Sequence, residues 1–314
     1  MKFGGTSLAT LDKIRNVAKT VKAESINHKI VVVLSAMSGV TNDLQSLINE
    51  VNFKGSREAD LILTSGEQVT IGLLSMLLKK EGIKSIPLLG WQIPIVTDDQ
   101  HEKGRILNIN NENLFKYFQS NDVIVLAGFQ GISTQGYITS LGRGGSDTTA
   151  VAIASSIKAE RCDIYTDVEG VYTTDPNIET NAKKIDKLTY EEMLEMSSTG
   201  AKVLQTRSVE LAMKNNLTLQ VLSSFTNRQG TYVVNENELI ENEIVSGVSY
   251  SKNESKITIS GIPDKPGISA LVFGLMASNN INVDMIVQNI SQDGINANIT
   301  FTVPNKELEE CKKI

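Results

Sequence analysis

The residues best suited to chemistry lie in a glycine-rich stretch at 136–150, which reads GYITSLGRGGSDTTA. Gly142, Gly144 and Gly145 permit positive φ and close approach of the backbone, so the main chain there can present N–H groups to a ligand. Arg143 adds a planar fork of donors that fits a carboxylate or a phosphate. The stretch therefore predicts an anion-binding loop, against the simpler alternative of a flexible surface turn.

Two neighbouring patterns support anion binding. Residues 148–159 are rich in alanine and serine, with apolar residues at near-helical spacing, so the loop is expected to lead into a helix N-terminus that favours anions. Residues 2–7 (KFGGTS) combine a lysine, two glycines and two hydroxyls, and they precede a predicted helix whose apolar residues at 11–21 share one face. Thr10 and Asp12 stand at the start of that helix, where capping favours them. Residues 2–7 thus form a second candidate anion cradle.

Length and composition indicate a globular protein. The chain of 314 residues is long enough for about two domains of roughly 150 residues each. Hydrophobic residues make up 40% and charged residues 21%, which leaves ample material for a core. No apolar run approaches the roughly 20 residues of a membrane span, and the first residues do not read as a signal peptide. We therefore expect a cytoplasmic protein without a membrane partner.

Cysteine, histidine and net charge argue against several kinds of site. Cys162 and Cys311 are far apart and have no histidines nearby, which argues against a disulfide framework or a zinc site. His28 and His101 are also isolated in the sequence, which argues against histidine-based acid–base chemistry. A net charge of −6 argues against a nucleic-acid partner, because a phosphate-binding surface needs an excess of basic residues.

Apolar runs alternate with helical patterns over most of the chain. Strands are predicted from β-branched runs at 30–34, 93–96, 123–127, 163–166 and 219–222. Helices are predicted at 44–51, at 59–78 with an interruption at 64–67, at 190–196 and at 201–214. This alternation is typical of a three-layer α/β/α domain with a mostly parallel sheet, which binds ligands at the carboxyl ends of its strands. Glu67, in the interruption, has the alternative role of a helix cap.

A second pattern begins after a polar and acidic linker. The sequence predicts one domain at 1–234, a linker at 235–247 and a second domain at 248–314. In the second domain, strands are predicted at 256–260, 282–288 and 296–303, with a turn at 261–267, a helix to about 278 and another helix from 305. That order is β-α-β-β-α, a ferredoxin-like unit that lacks its last strand.

The chain resembles the aspartate kinases (aspartokinases) of the amino-acid kinase superfamily over essentially its whole length. The resemblance rests on short motifs that stand in the order and at the spacings of that family. The motifs are KFGGTS at 2–7, SAM at 35–37 with VT at 40–41, SGE at 65–67, GFQG at 128–131, LGRGGSD at 141–147, YTD at 165–167, GV at 170–171 with DP at 175–176, and GAKV at 200–203. In the second domain, residues 261–267, NVDM at 282–285 and QN at 288–289 resemble the family's ACT effector-binding domain.

The resemblance implies transfer of the γ-phosphoryl group of ATP to the side-chain carboxylate of L-aspartate, which gives 4-phospho-L-aspartate. This is the entry step to lysine, threonine and methionine, and in many bacteria to diaminopimelate. A carboxylate nucleophile is already ionised at neutral pH and needs no general base, which suits a chain with two isolated histidines. Phosphoryl transfer chiefly demands positioning and charge neutralisation. The implied cofactors are ATP and Mg²⁺, with the metal ion held mainly by phosphates and water, so no metal-ligating residue is expected.

The family pattern also implies roles for individual residues. Lys2 would contact the transferring phosphate, oriented by Asp147, and these two are the implied catalytic residues. Nucleotide contacts are implied for Lys2, Gly4, Gly5, Ser35, Tyr165, Thr166, Asp167, Tyr172, Asp175, Pro176 and Lys202. Substrate contacts are implied for Thr41, Glu67, Arg143, Gly144, Gly145 and Ser146. Among them, Arg143 would grip the aspartate α-carboxylate in a bidentate pair, and Glu67 would face the ammonium.

An effector site and an oligomer are expected from the ACT-like domain. The implied effector is lysine, threonine or both, bound by Asp264, Gly267, Ile268, Ser269, Asn282, Asp284 and Gln288. A homodimer or higher oligomer is expected from side-by-side pairing of ACT domains, because an incomplete unit leaves a sheet edge and an apolar face uncovered. The apolar face is assigned to Met276, Ile281, Val283, Met285 and Val287.

In three places the sequence departs from the family pattern. Asn177 stands where the family usually has an arginine after the Asp-Pro pair, which removes a cation from the nucleotide side. The family's first strand is reduced to Met1, and one ACT-like unit is present where the family normally has two, so the sequence is expected to belong to a longer chain.

Two other functions stay open. The fold is shared by acetylglutamate, glutamate and uridylate kinases, and the chain would also suit a non-catalytic amino-acid sensor in which Asn177 marks lost chemistry. Single residues have simpler interpretations as well. Residues 175–176 are compatible with an ordinary turn, Lys202 with a solvated helix lysine, and Asp284 and Gln288 with surface positions on a strand.

Overall fold

The computed structural model describes residues 1–53, 55–199, 203–238, 245–279, 281–290 and 296–314. The chain divides into two compact units, Met1–Ser249 and Tyr250–Ile314. The strands of the first unit are β1 Lys2–Phe3, β2 Ile30–Leu34, β3 Ser85–Leu88, β4 Ile95–Thr97, β5 Ile106–Ile109, β6 Val123–Ala127, β7 Gln130–Ser133, β8 Ile138–Ser140, β9 Cys162–Thr166, β10 Lys187–Thr189, β11 Leu219–Ser223 and β12 Thr231–Val234. Its α-helices are α1 Leu11–Glu24, α2 Val40–Val51, α3 Arg57–Leu63, α4 Ser65–Lys80, α5 Asn111–Phe118, α6 Gly145–Ser156, α7 Tyr190–Ser198 and α8 Thr206–Lys214. Gly5–Leu8 and Glu236–Glu238 are short 3-10 helices.

An eight-stranded sheet in the order β10-β12-β11-β9-β1-β2-β6-β3 forms the centre of this unit. Neighbouring strands are parallel except β11 and β12. Alternate residues of β2 belong to different cores: Val32 lies in the core that includes α1 and α4, whereas Val31 lies in the core that includes α5, α6 and α8. Strands buried on both faces read as continuous apolar runs, which is why the sequence identified β2 and β6. The predicted three-layer α/β/α architecture with a mostly parallel sheet is confirmed.

A second sheet of four strands, in the order β5-β4-β7-β8, was not predicted. Its strands have three or four residues each and mix polar with apolar side chains, so no clear period marks them. The strand predicted at 93–96 begins two residues later, as β4. Helix α3 packs against β8, and the loop at 98–105 between β4 and β5 extends from this sheet.

Helix starts are explained by their caps. Thr10 caps α1 as expected, since its hydroxyl accepts a hydrogen bond from the Lys13 N–H at 3.3 Å. Helices α2 and α6 begin four and three residues earlier than predicted, at Val40 and Gly145. Each is preceded directly by a glycine with positive φ, Gly39 at 90° and Gly144 at 71°, so the turn ends there and the helix starts at once. Helix α8 starts at Thr206 rather than at 201, and residues 201–202 lie outside the described residues.

Helices α3 and α4 are separated only by Thr64, which keeps a right-handed helical conformation. The combined stretch Arg57–Lys80 is long and apolar enough, by length and composition alone, to cross a membrane. Length and composition are weak evidence for a membrane span here, because a mostly buried core helix passes the same test. Half of its most apolar window is buried inside the fold, and α4 packs against α1, β3 and β6, as a core helix does.

The first unit ends in a segment that is hydrogen-bonded to the loop after β9. The Val248 N–H donates to the Thr173 carbonyl at 2.7 Å, while the Thr173 N–H donates to the Lys183 carbonyl at 2.8 Å. Close by, the Ser246 hydroxyl bonds the Glu192 carboxylate. Thr173 thus lies between residue 183 and the segment that leads into the second unit.

The second unit is a small α+β domain. Its elements are β13 Glu254–Pro263, α9 Ile268–Ser278, β14 Asp284–Ile290, β15 Asn296–Pro304, a 3-10 helix at Asn305–Glu307 and α10 Leu308–Cys311. The strands form an antiparallel sheet in the order β13-β15-β14, so the predicted ferredoxin-like β-α-β-β-α unit is confirmed.

The apolar face assigned to this unit from the sequence was partly wrong. Met276 and Ile281 are buried in its core with the inward residues of β15, and Val283 packs against them. Met285 and Val287 lie on β14 with 70% and 39% of their surface exposed. The exposed apolar residues of this unit therefore lie on the edge strand β14 and on the outer side of α9, where Leu271 and Leu275 are exposed.

Candidate active site at the carboxyl ends of the central strands

Four sequence motifs meet at one edge of the large sheet. The adjacent parallel strands β9, β1, β2 and β6 end where the motifs at 166–167, 4–5, 35–36 and 128–129 begin. Because parallel strands run in the same direction, their carboxyl ends lie together, and this is where open α/β sheets bind ligands. The structure therefore brings the predicted segments into one site.

An ion pair lies at the centre of this edge. Lys2 Nζ is 2.6 Å from Asp147 Oδ1, and each side chain is only 11% exposed. Asp147 stands in the first turn of α6, where the helix dipole stabilises a carboxylate. A Cβ atom on Gly4 would lie 3.5 Å from Lys2 Nζ, so the missing side chain leaves the ammonium approachable. The structure thus fixes one cation beside an open stretch of backbone.

Fewer glycine N–H groups are free to bind a ligand at residues 4–5 than the sequence predicted. The sequence predicted that the Gly4 N–H would bind a phosphate. In the structure this N–H donates to the Tyr165 carbonyl at 3.3 Å instead. Gly5 opens a 3-10 helix, where its N–H has no acceptor within the helix. A Cβ on Gly5 would lie 3.1 Å from the Ala36 carbonyl oxygen. Close packing against the segment after β2 therefore favours glycine at this position.

Glu67 is a buried carboxylate with one oxygen unused. The side chain is 2% exposed, and Oε1 accepts a hydrogen bond from the Ala36 N–H at 3.0 Å. Oε2 is buried without a hydrogen-bond partner among the described residues. Burial raises the pKa of Glu67 to about 7, although the Ala36 N–H partly offsets it. The carboxylate therefore bonds across the site to the end of β2, and it offers an unmatched acceptor to a ligand ammonium.

The side chain of Arg143 is exposed and makes no hydrogen bond or ion pair with the described residues. On either side, Gly142 and Gly144 have φ of 73° and 71°, as expected from the glycine pattern. The first turn of α6 follows directly, with Gly145 and Ser146 buried. Arg143 thus offers its guanidinium to solvent next to a helix N-terminus.

Ser146 and Thr41 stand in the first turns of two helices, α6 and α2. A Cβ on Gly128 would lie 2.9 Å from Ser146 Oγ, so glycine at the end of β6 lets the N-terminus of α6 approach. Thr41 is half-buried in the first turn of α2, behind Gly39. Ser35, at the end of β2, accepts a hydrogen bond at its carbonyl from the Thr70 hydroxyl at 2.9 Å. These contacts tie α6 and α4 to the strand ends.

The residues predicted to bind the nucleotide differ in how far their side chains are buried or already hydrogen-bonded. The Tyr165 ring is buried and stacks on Phe3 with centroids 4.4 Å apart, and burial raises the pKa of its hydroxyl well above the usual value. The nucleotide contact predicted for Tyr165 would therefore have to use its backbone. The Thr166 hydroxyl donates to Asp167 Oδ1 at 3.1 Å, and Tyr172 is half-buried in the following loop.

Residues 175–176 form a turn in this loop. Asp175 Oδ1 accepts from the Asn177 N–H at 2.9 Å and from Asn177 Nδ2 at 3.0 Å. The side chain that replaces the family's arginine therefore holds the Asp175 carboxylate, with Pro176 between them. Lys202, the last predicted nucleotide contact, lies outside the described residues.

Sequence reasoning missed a buried pair and an arginine behind the site. Asp60 is fully buried, with Oδ2 2.7 Å from His101 Nδ1 and Oδ1 accepting from the Glu102 N–H at 3.0 Å. The view of His101 as isolated was therefore wrong, since its partner is distant only in sequence. Arg207 on α8 donates to two carbonyls near the glycine loop. No short-range pattern marks either group.

The second unit brings three of the predicted effector residues together. Gln288 Nε2 donates to Asp264 Oδ1, and the Ser269 hydroxyl donates to Gln288 Oε1, both at 3.2 Å. Gly267 has a φ of 98° and precedes α9, which starts at Ile268. Asn282 and Asp284 bond elsewhere: the Asn282 N–H donates to Glu307 Oε2, and Asp284 Oδ1 accepts from the Met285 N–H.

Comparison with known proteins gives the family. A model of the amino acid kinase family matches residues 1–223, and a model of the ACT domain matches residues 257–314. An aspartate kinase of Pseudomonas putida is 47% identical over 316 residues, which cover 100% of this chain and 77% of that protein.

Solved structures agree. The aspartate kinase from Synechocystis has a TM-score of 0.66 at 37% identity, over 99% of this chain and 53% of that one. Escherichia coli aspartokinase III in complex with aspartate and ADP (R-state) has a TM-score of 0.76 at 25% identity, over 96% of this chain and 78% of that one. The chain therefore belongs to the amino acid kinase family and, within it, to the aspartate kinases that carry an ACT domain.

Proposed function

We propose that the first unit transfers the γ-phosphoryl group of Mg·ATP to the side-chain carboxylate of L-aspartate, giving 4-phospho-L-aspartate. The observation that carries this proposal is the charge arrangement at the strand ends. Lys2 is fixed by Asp147, Arg143 has an open guanidinium, and Glu67 has a buried oxygen without a partner among the described residues. The α-carboxylate and ammonium of an amino acid match Arg143 and Glu67, and the transferring phosphoryl group of ATP matches Lys2.

Substrate recognition follows from two opposite charges. Arg143 pairs its planar fork with the α-carboxylate, next to the N-terminus of α6, where backbone N–H groups favour an anion. Glu67 accepts from the α-ammonium through Oε2, and a nearby cation favours the ionised carboxylate. Thr41 and Ser146 complete the pocket. Holding both charged groups fixes the direction in which the side-chain carboxylate points.

The chemical step needs charge neutralisation more than proton transfer. The attacking carboxylate is ionised at neutral pH, so no general base is required. Lys2 stabilises the negative charge that develops on the transferring phosphoryl group, and Asp147 keeps the ammonium in place. Both side chains are largely buried, where such electrostatic contributions exceed those in water.

The nucleotide is proposed to lie against the ends of β1 and β9. Gly5 supplies a backbone N–H, and Thr166, Asp167 and Tyr172 border the base and ribose. No cluster of three or more histidine, cysteine, aspartate or glutamate side chains suitable for a metal occurs in the described part of the chain. Mg²⁺ carried by the ATP phosphates and water fits this donor set, and it would supply further neutralisation of the phosphates.

An ADP-release assay with a panel of acceptors tests the proposal. Turnover is expected with L-aspartate and Mg·ATP, and little with glutamate or acetylglutamate. Turnover with either alternative and none with aspartate would instead identify another kinase of this fold. Calorimetric binding of an amino acid without any ADP release would identify a sensor.

For the second unit we propose pairing of ACT domains and binding of an amino-acid effector. Strand β14 is an edge of its sheet, and Met285 and Val287 on it are exposed. Leu271 and Leu275 of α9 are also exposed, at 63% and 44%. Exposed edges and apolar patches are usually covered, and a second copy of this unit supplies a matching edge. We expect at least a homodimer.

The effector is proposed to bind near the cluster of Asp264, Ser269 and Gln288, with its carboxylate at the start of α9. Lysine and threonine, end products of the pathway that the reaction would open in the cytoplasm, are the candidates. The effector must bind one arrangement of the protein more tightly to inhibit it. Sedimentation and calorimetry test this: a monomer at micromolar concentration, with no heat from either amino acid, contradicts it.

A further inference from the structure

The proposed substrate arginine stands on a backbone that needs external support. Gly142 and Gly144 flank Arg143, and glycine has the largest conformational freedom to lose when a loop is ordered. The Arg143 side chain itself makes no bond to the described residues. Unless the backbone is fixed beforehand, ordering this loop would oppose substrate binding. Whatever holds the turn therefore contributes to affinity.

Arg207 bonds this turn to a second loop. Its Nη1 donates to the Leu141 carbonyl and its Nη2 to the Gly104 carbonyl, each at 3.0 Å. Arg207 is half-buried on α8, and burial and the nearby Arg105 lower its pKa. Hydrogen bonds from a charged donor are about twice as strong as neutral ones. One guanidinium thus links the residue before the turn to the loop at 98–105.

The loop at 98–105 is itself anchored and contacts the turn. A Cβ on Gly142 would lie 3.1 Å from the Glu102 carbonyl oxygen, so the two backbones touch. Glu102 has a φ of 62°, and its N–H donates to the fully buried Asp60, which also bonds His101. The contacts run continuously from Asp60 on α3 to the turn that carries Arg143.

We propose that Arg207 is a positioning residue for the acidic amino-acid substrate: it fixes the turn at 142–144 so that Arg143 meets the α-carboxylate without a further ordering step. Arg207 does not touch the substrate. This role rests on the proposed function only in assigning Arg143 to the substrate carboxylate. The mechanical part, that Arg207 immobilises the turn, stands on the two hydrogen bonds alone.

Steady-state kinetics of Arg207→Met separate positioning from general damage. The KM for aspartate is expected to rise on the order of 10–100-fold, the scale for a misplaced substrate-positioning group. The KM for ATP should change less than about twofold, because the turn lies on the amino-acid side. Lys214→Met is the matched control, since Lys214 is an exposed cation on the same helix whose side chain makes no bond to the described residues. It should behave as the unchanged protein.

Hydrogen exchange without substrate provides a readout that does not depend on catalysis. Amides at 141–145 should exchange faster in Arg207→Met than in the unchanged protein, and at the same rate in Lys214→Met. If Arg207→Met does not fold, Arg207→Lys keeps the charge but cannot bridge two carbonyls in the same geometry, and it should show both effects in weaker form. Equal rises in both KM values, or unchanged exchange at the turn, would overturn the proposal. Faster exchange in a chain that never phosphorylates aspartate would refute the proposed function and keep the positioning role.

Discussion

Replacing Glu67 by glutamine should make the protein more stable while it weakens aspartate binding. Burial raises the pKa of Glu67 from 4.5 to about 7. A tenfold change in an ionisation constant corresponds to about 1.4 kcal/mol, so ionised Glu67 costs the folded state about 3 kcal/mol relative to the unfolded chain. Glutamine keeps an oxygen for the Ala36 N–H and carries no charge. The variant therefore lacks this cost.

The pH dependence of stability tests the direction of the pKa shift of Glu67. Between pH 4.5 and about 7 the folded state binds more protons at Glu67 than the unfolded state does, so its contribution to stability falls as pH rises through that window. From pH 5 to pH 8, the advantage of Glu67→Gln over the unchanged protein should grow by about 2–3 kcal/mol. For a unit of this size, that is roughly 5–10 °C in Tm. A constant offset from the substitution itself cancels in the comparison of the two pH values.

Scanning calorimetry of the melting transition of the first unit measures this difference. Glu50→Gln, at an exposed position of α2, is the matched control and should show no such growth. In kinetics, the KM for aspartate of the unchanged protein should rise as pH falls below about 7, because neutral Glu67 no longer attracts the ammonium. Glu67→Gln should have a high KM throughout. If its advantage in Tm is the same at pH 5 and pH 8, the reasoning about the buried carboxylate is wrong.

Three further predictions follow from the site. Lys2→Ala should lower kcat by about 10²–10³-fold, the scale for one preorganised transition-state donor. Lys19→Ala, on the exposed side of α1, should leave kcat unchanged. A change confined to KM would contradict the role of Lys2. Arg143→Lys should raise the KM for aspartate strongly at nearly constant kcat, because an ammonium cannot reproduce bidentate geometry, and an unchanged KM would remove Arg143 from the substrate site. Gly128→Ala should cost about 1–3 kcal/mol by overpacking, since its Cβ would lie 2.9 Å from Ser146 Oγ; unchanged thermal unfolding would show that α6 can move away.

The sequence predicted the long buried strands of the central sheet well. It did not predict the short strands or the starts of two helices. The runs at β2 and β6 were found because they are buried on both faces and therefore continuously apolar. The small sheet was missed because strands such as β8 are too short for a period to show. Early starts of α2 and α6 reflect positive-φ glycines, whose effect on a boundary depends on geometry that the sequence does not display.

The site divides in the same way. The glycine loop, Lys2 and Asp147 stand in local motifs, and the structure brings Lys2 and Asp147 into contact. Their assigned roles stay predictions. Arg207 and Asp60 hydrogen-bond to backbone groups of segments that are distant in sequence. No short sequence motif therefore predicts these contacts. Tyr165 shows that a motif residue can also serve the core: its ring stacks on Phe3, so the nucleotide contact predicted for it would have to use the backbone.

The hydrogen bond between Val248 and Thr173 bears on the pattern of inhibition. Thr173 stands in the loop that also carries Tyr172 and Asp175, and the chain continues from Val248 into the second unit within two residues. Among the described residues, the connection is hydrogen-bonded to the proposed nucleotide loop, and no bond from it to Arg143 or Glu67 is present. An effector that acts along this route should therefore appear in initial-rate plots as a competitor of ATP, while the apparent affinity for aspartate stays nearly constant.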